Sequence, residues 1–219
     1  MALQIFDCNG FGQLECSQVW FDRAGMSESQ CELDPTVFAD SFPMSPAQAN
    51  AGKIYGEVGQ FLMIDKVNKI ATLPTKALSD LGYQMGINYS TEKIYNQFTP
   101  GRRNFCMIAG EYLPRIGFIQ PGMRICTNTV AYDDETFPAT PGSTVSPSRQ
   151  MYDQVKTALA TTPETPIYAV VTDDSQGRLV VGADIEDAIG GVYGQVVEAY
   201  YNADNTLSFK IMFINKPEA

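Results

Sequence analysis

Pro166-Ile167-Tyr168-Ala169-Val170-Val171-Thr172, then Asp173-Asp174-Ser175-Gln176-Gly177, then Arg178-Leu179-Val180-Val181-Gly182-Ala183 is the stretch that decides the fold class. Two β-branched apolar runs of strand length flank a turn rich in Asp, Ser and Gly, which is the pattern of a β-hairpin. The pattern continues through residues 191–201, a turn at Asn202-Ala203-Asp204-Asn205, and a closing run over 207–214. In that last run Leu207, Phe209, Ile211 and Phe213 alternate with Ser208 and Lys210, so one face packs and the other is wet at its start. Met212 and Ile214 end the alternation and predict cover on both sides at the strand's end.

Upstream of the hairpin, Met151, Val155, Ala158 and Leu159 recur on one face of a short amphipathic helix, with Ser148 as its expected cap and Thr161-Thr162-Pro163 as its stop. A Pro-, Thr- and Ser-rich loop from Asp133-Asp134-Glu135 to Pro147 precedes it. Residues 105–109, 115–119 and 123–132 are short apolar runs separated by Pro114, Pro121 and Gly122, which set turns. Between Gly86 and Gly101 the pattern is poor. Residues 60–65, a Lys-Val-Asn turn and residues 69–73 make a second hairpin, followed by a short helix from Thr75 to Leu81 that Gly82 stops.

Residues 1–45 mix Phe6, Phe11, Trp20, Phe21, Phe38 and Phe42 with Gly and acids in no sustained period, and 45–52 reads as a helical turn or two. The expected fold is mainly β: an antiparallel β-barrel or sandwich-like domain with a few short helices and an irregular N-terminal arm. Two regions follow from this, an arm over 1–52 and a β-rich core over 53–219 carrying a loop-plus-helix insertion at about 133–165.

The 219 residues suffice for a real core, and 44% are hydrophobic against 18% charged, which favours β-structure over ion-pair-laced helices. Fifteen Lys plus Arg against twenty-five Asp plus Glu give a net charge of −10, so the molecule repels phosphate backbones and direct nucleic-acid binding is disfavoured. The bias is strongest in residues 1–45, where Arg23 faces Asp7, Glu15, Asp22, Glu28, Glu32, Asp34 and Asp40. No apolar run is long enough to span a bilayer, and MALQIFDCNG lacks a basic n-region and an apolar h-region, so a cytosolic protein is expected, with no membrane partner. Cys8, Cys16, Cys31, Cys106 and Cys126 are odd in number and form no C-x-x-C, the usage of buried free thiols.

The chain contains no His. That removes the usual general base, the Ser-His-Asp and Cys-His devices and the commonest metal ligand together. Neither G-x-G-x-x-G nor G-x-x-x-x-G-K-[ST] is present, so no cofactor is expected. Paired acids at Asp133-Asp134-Glu135, Asp173-Asp174 and Asp184-Glu186-Asp187 could in principle serve a carboxylate-dependent enzyme, but each cluster sits in a turn, where Asp is favoured for its local hydrogen bonding. No catalytic, cofactor or metal residue is therefore assigned, and none of the clusters matches a twelve-residue calcium loop. Trp20, Phe21, Arg102 and Arg103 are the residues expected to contact a partner, because aromatic and Arg side chains anchor interfaces.

The C-terminal half resembles the small β-domains of tailed-bacteriophage capsid decoration and cement proteins. The residues that carry the resemblance are Pro121-Gly122-Met123-Arg124-Ile125, the hairpin 167–172 with 177–181, Gly194-Gln195-Val196-Val197-Glu198, and Leu207-Ser208-Phe209-Lys210-Ile211. The resemblance implies a non-enzymatic virion subunit made in the host cytoplasm. Such a subunit sits outside a shell of major capsid protein and self-associates, commonly as a trimer. A tail-tube or neck subunit is the alternative within the virion, and a carboxylate-dependent enzyme or carbohydrate-binding module the alternative outside it.

Overall fold

The computed structural model describes residues 3–5, 19–21, 26–39, 54–90, 93–94, 105–202 and 205–217. The chain is mainly β, as the alternation predicts, and its strands form a closed five-stranded barrel and an eight-stranded sheet.

The barrel is built from β3 (Met26–Leu33), β4 (Phe61–Asp65), β5 (Ile70–Thr72), β6 (Gln84–Asn88) and β9 (Tyr112–Gly117), in the order β3-β5-β4-β6-β9. Its interior holds Cys31, Leu33, Phe38, Val58, Leu62, Ile64, Ala71, Met107, Leu113 and Ile116. The β4–β5 hairpin is the predicted one. Asp65 Oδ1 accepts from the Val67 and Asn68 amides at 2.9 and 3.0 Å, and Lys69 takes a left-handed φ of 56°. A short helix α1 (Lys76–Asp80) follows, with Thr75 Oγ1 accepting from Leu78 N at 3.2 Å.

The larger sheet runs β1 (Leu3–Ile5), β11 (Val130–Asp133), β13 (Leu179–Val181), β12 (Tyr168–Val171), β14 (Tyr193–Tyr201), β15 (Leu207–Ile214), β10 (Arg124–Thr127), β2 (Val19–Phe21). A small pair, β7 (Lys93–Ile94) with β8 (Phe105–Cys106), stands apart from both. Four strands separate β10 from β11 in the sheet, yet only Asn128 and Thr129 separate them in the chain. Thr127 and Val130 can be at most about 11 Å apart. The sheet must therefore curl back on itself, and it wraps a core of Ile125, Val130, Tyr132, Val171, Leu179, Val181, Val196, Leu207, Phe209, Ile211 and Phe213.

The same core takes in Phe61, Met63, Met85 and Ile87 from the outer faces of β4 and β6. Strand β4 thus lies between two cores, with Leu62 and Ile64 turned into the barrel and Phe61 and Met63 turned into the rolled sheet. That is why its run is apolar at consecutive positions rather than alternating. Helix α2 (Pro147–Thr161) contributes Met151 and Val155 to the larger core. On the other side of β11, β12 and β13, Ala131, Val170 and Val180 are covered by Ala183, Ile185 and Ala188 around a 3-10 turn at Ile185–Asp187.

Several details depart from the sequence reading. Residues 1–52, expected to be an irregular arm, supply β1, β2 and the barrel strand β3, while the helical turn expected over 45–52 lies outside the described residues. The run 123–132 is two strands that do not pair with each other. The sheets are not wholly antiparallel, since β3 with β5 and β11 with β13 are parallel. Helix α2 is capped by Ser146 rather than Ser148, which places Pro147 at the first helical position, where its missing N–H leaves no bond unmade. Strand β6 was not predicted. Met85 and Ile87 alternate with Gln84, Gly86 and Asn88 over only five residues, and the barrel-facing positions hold Gly86, where a Cβ would collide with Ile116, and buried Asn88.

Candidate functional site

The densest polar region is buried where the barrel meets the rolled sheet. Segment 57–60 enters β4, Asn88 ends β6, Thr127 ends β10 and Thr129 lies in the β10–β11 link, and residues 175–178 form the turn of the β12–β13 hairpin. Arg178 Nη2 donates to Glu57 Oε2 at 2.8 Å, with both side chains less than a tenth exposed. Arg178 Nη1 also donates to Gln176 Oε1 at 3.0 Å. Gln60 crosses between the units: its Nε2 donates to Gln176 O at 2.7 Å and its Oε1 accepts from Glu57 N at 3.1 Å. Asn88 Nδ2 donates to Glu57 O at 2.9 Å, and Thr129 Oγ1 donates to Val58 O.

The local backbone is shaped for this junction. Gly177 has φ +76°, and a Cβ there would overlap Phe61 O. The close approach lets Phe61 N donate to Gly177 O at 2.7 Å, so the hairpin turn is hydrogen-bonded to the first residue of β4. A carboxylate held by a guanidinium in this way serves as a fixed counter-charge. The arrangement joins two β-units through one buried ion pair.

A second region lies on the surface between α2 and β14. It is an open groove of about 460 Å³ lined by Tyr152, Lys156, Leu159, Glu198, Tyr200 and Tyr201 with their neighbours. Tyr152 and Tyr201 stack at a tilt, 5.9 Å between centroids, and the Arg149 guanidinium lies over both rings at 5.0 and 5.2 Å. Lys156 Nζ donates to Tyr152 OH at 2.9 Å, a bond that raises the ammonium's pKa. Tyr200 OH donates to Glu198 Oε2 at 2.5 Å, and that bond, with the nearby carboxylate charge, pushes the phenol up to about 12. Strand β14 bulges at Val197, which leaves that side chain 43% exposed beside the groove.

The acid clusters singled out in the sequence are occupied with local structure. Asp133 accepts from Glu135 N at 3.1 Å and Thr136 Oγ1 at 2.8 Å. Asp174 accepts from Thr172 Oγ1, Asp173 accepts from Lys76 N at the start of α1, and Asp184 caps the 3-10 turn through Glu186 N. Among the described residues, no three His, Cys, Asp or Glu side chains converge as a metal site. Glu198 is the one acid among the described residues lining the tyrosine groove, so no carboxylate pair meets there.

Of the residues expected at a partner interface, Trp20 and Phe21 lie in β2, at one edge of the large sheet, opposite Cys126 and Ile125. Arg102 and Arg103 lie outside the described residues. Cys31 is buried, and Cys126 is a half-buried thiol whose pKa is raised by burial; Cys8 and Cys16 lie outside the described residues. Sequence reasoning missed both the ion pair and the groove. Glu57 and Arg178 are 121 positions apart, and nothing local marks either as buried. The tyrosines of 200–201 and the cations of α2 were each visible, but not their meeting. Among the described residues no helix is long and apolar enough to cross a membrane. The chain matches no family model, no curated protein and no solved structure.

Proposed function

We propose that this protein is a structural, non-catalytic subunit that acts by fitting other protein surfaces, and that it decorates or cements the outside of a phage capsid. The observation that carries the reading is how its ionisable groups are used. Glu57 and Arg178 hold two β-units together; Asp133, Asp174 and Asp184 bond within their own turns, Asp173 caps the start of α1 and Glu186 pairs with Lys216. What the described surface offers instead is rings and apolar side chains: Tyr112, Tyr200, Val197 and Leu81 are all exposed. Such groups support association with partners more readily than acid–base chemistry. The capsid placement rests on the resemblance of the C-terminal strands, with major capsid protein as the partner and self-association, as a trimer, as the expected state.

Purified protein added to capsid shells that lack it is the direct test. Cosedimentation that saturates near one copy, or one trimer, per repeating shell position supports the proposal, and failure to bind shells of the cognate virus contradicts it. A tail-tube or neck role predicts binding confined to one vertex. The tyrosine groove favours one reading outside the virion, a carbohydrate-binding module, since stacked Tyr rings beside Glu198 and Lys156 suit a sugar face and its hydroxyls. Saturable saccharide binding lost in Tyr200→Ala would establish that reading instead.

A further inference from the structure

Strand β14 has a neighbour on both sides only along its first half. On one side β15 runs with it from Tyr193 to Tyr201. On the other, β12 pairs with it only at Tyr193, Gly194 and Gln195, and the last bond on that side is Val196 N donating to Ile167 O at 2.9 Å. Pro166 then lacks an N–H, and the chain leads back to the end of α2 through Pro163 and a turn in which Thr165 N donates to Thr162 O. Among the described residues, 197–201 therefore have no strand on this side. Which backbone groups face it follows from the hairpin. Asn202 N donates to Thr206 O, so alternation aims Tyr200 and Glu198 at β15 and aims the N–H and C=O groups of Ala199 and Tyr201 away from it. The tyrosine groove lies along this edge: five consecutive residues, Val197 to Tyr201, form one wall, and Tyr152, Lys156, Leu159 and Ala160 of α2 form the other.

We infer that this edge takes up an extended, acidic segment of a partner protein as an added strand. Such a strand meets the four backbone groups of Ala199 and Tyr201, the usual source of affinity in strand addition, while its alternate side chains meet the two walls. Leu159, Ala160 and the exposed Val197 offer apolar contact. Lys156 sets the charge, because its ammonium is held by Tyr152 OH rather than by a carboxylate. The acids nearby are engaged: Asp153 with Arg149 at 3.3 Å, and Glu198 with Tyr200 OH and opposite Lys210 in the ladder. A sugar would meet the same rings, but it has no row of amides to answer those of β14. The inference deepens the proposed role by naming one contact through which a partner is held, and it rests on that reading only for the occupant being protein.

The test uses the full chain and peptides without any shell, so its failure is distinct from a failure to bind capsids. The probes are acetylated heptapeptides Thr-Val-X-Val-Thr-Val-Thr, with every residue in turn at X, screened on an array and then measured in solution. Saturable binding is expected, with acidic X roughly tenfold tighter than basic X. Lys156→Gln on the exposed face of α2 should level that preference and Lys156→Glu should reverse it, with the melting of both variants unchanged. N-methylation of alternate peptide nitrogens should abolish binding in one of its two registers, the one that removes the added ladder. Amide exchange reads the edge itself: binding slows Ala199 and Tyr201 and leaves Gly194, already covered by β12, as it was. No binding at any X, a preference indifferent to Lys156, or Ala199 and Tyr201 amides that exchange as in the free chain overturns the inference. A groove that binds saccharides and none of the peptides overturns it in favour of the sugar reading.

Discussion

Replacing Arg178 with Met leaves the Glu57 carboxylate in its buried position without the guanidinium 2.8 Å away, and is expected to lower the unfolding free energy by about 3–5 kcal/mol. Adding Glu57→Met removes the stranded charge, so the double variant recovers most of that loss; denaturant titration of the three proteins checks both steps. Tyr200 makes a prediction of a different kind. Its phenol, raised to about 12 by Glu198, stays protonated at pH 10–11, where an ordinary tyrosine ionises. Whatever this bond adds to stability is complete below about pH 10 and is lost as pH rises through 12. Tyr112 and Tyr132 are also raised, so ultraviolet titration should show several late-ionising tyrosines, and Glu198→Gln should move one of them, Tyr200, to lower pH. The inward set Leu207, Phe209, Ile211 and Phe213 was legible one residue at a time, because the polar Ser208 and Lys210 at the start of the strand leave a single choice of inward face. Glu57 and Arg178 were not legible, because a lone acid and a lone base give no sign of burial until the fold brings them together.

Hairpin turns were legible as elements, and the positions where they touch other elements were not. Gly177 was read as a turn residue, but its φ of +76° is only half of its role; the other half is the contact with Phe61 O, which only tertiary structure supplies. Gly82 has a similar φ of +80° and open space around it. Both Gly→Ala changes therefore pay for a left-handed alanine, at least about 1 kcal/mol each, while Gly177→Ala must also push β4 and the β12–β13 turn apart. Thermal melts should rank Gly177→Ala clearly below Gly82→Ala, and equal losses would mean that the contact with β4 is not tight. Strand β6 escaped notice because its alternation rests on two apolar residues, Met85 and Ile87, and its buried barrel face carries Gly86 and Asn88 in place of apolar side chains. The split of 123–132 into β10 and β11 escaped because Asn128-Thr129 is a sharp crossing inside an otherwise continuous apolar pattern.

At the scale of the whole molecule, the mainly β class followed from composition and strand pattern, whereas the division of labour between the two β-units did not. The sequence suggested an arm ahead of one core, but β3 closes the barrel from within that arm. Deleting residues 1–40 is therefore expected to open the barrel and abolish or strongly lower the cooperative melt, an outcome that calorimetry reads directly. An unchanged transition would contradict the closed barrel. The small barrel and the rolled sheet share the two faces of β4, and the buried ion pair fastens them beside it into one body. Whether that body is a shell component is decided by counting it. Quantitative mass spectrometry of purified particles should find this chain in fixed ratio to the major capsid protein, near the number of repeating shell positions; particles that lack it, or turnover of a small compound lost on changing one carboxylate, would contradict the account.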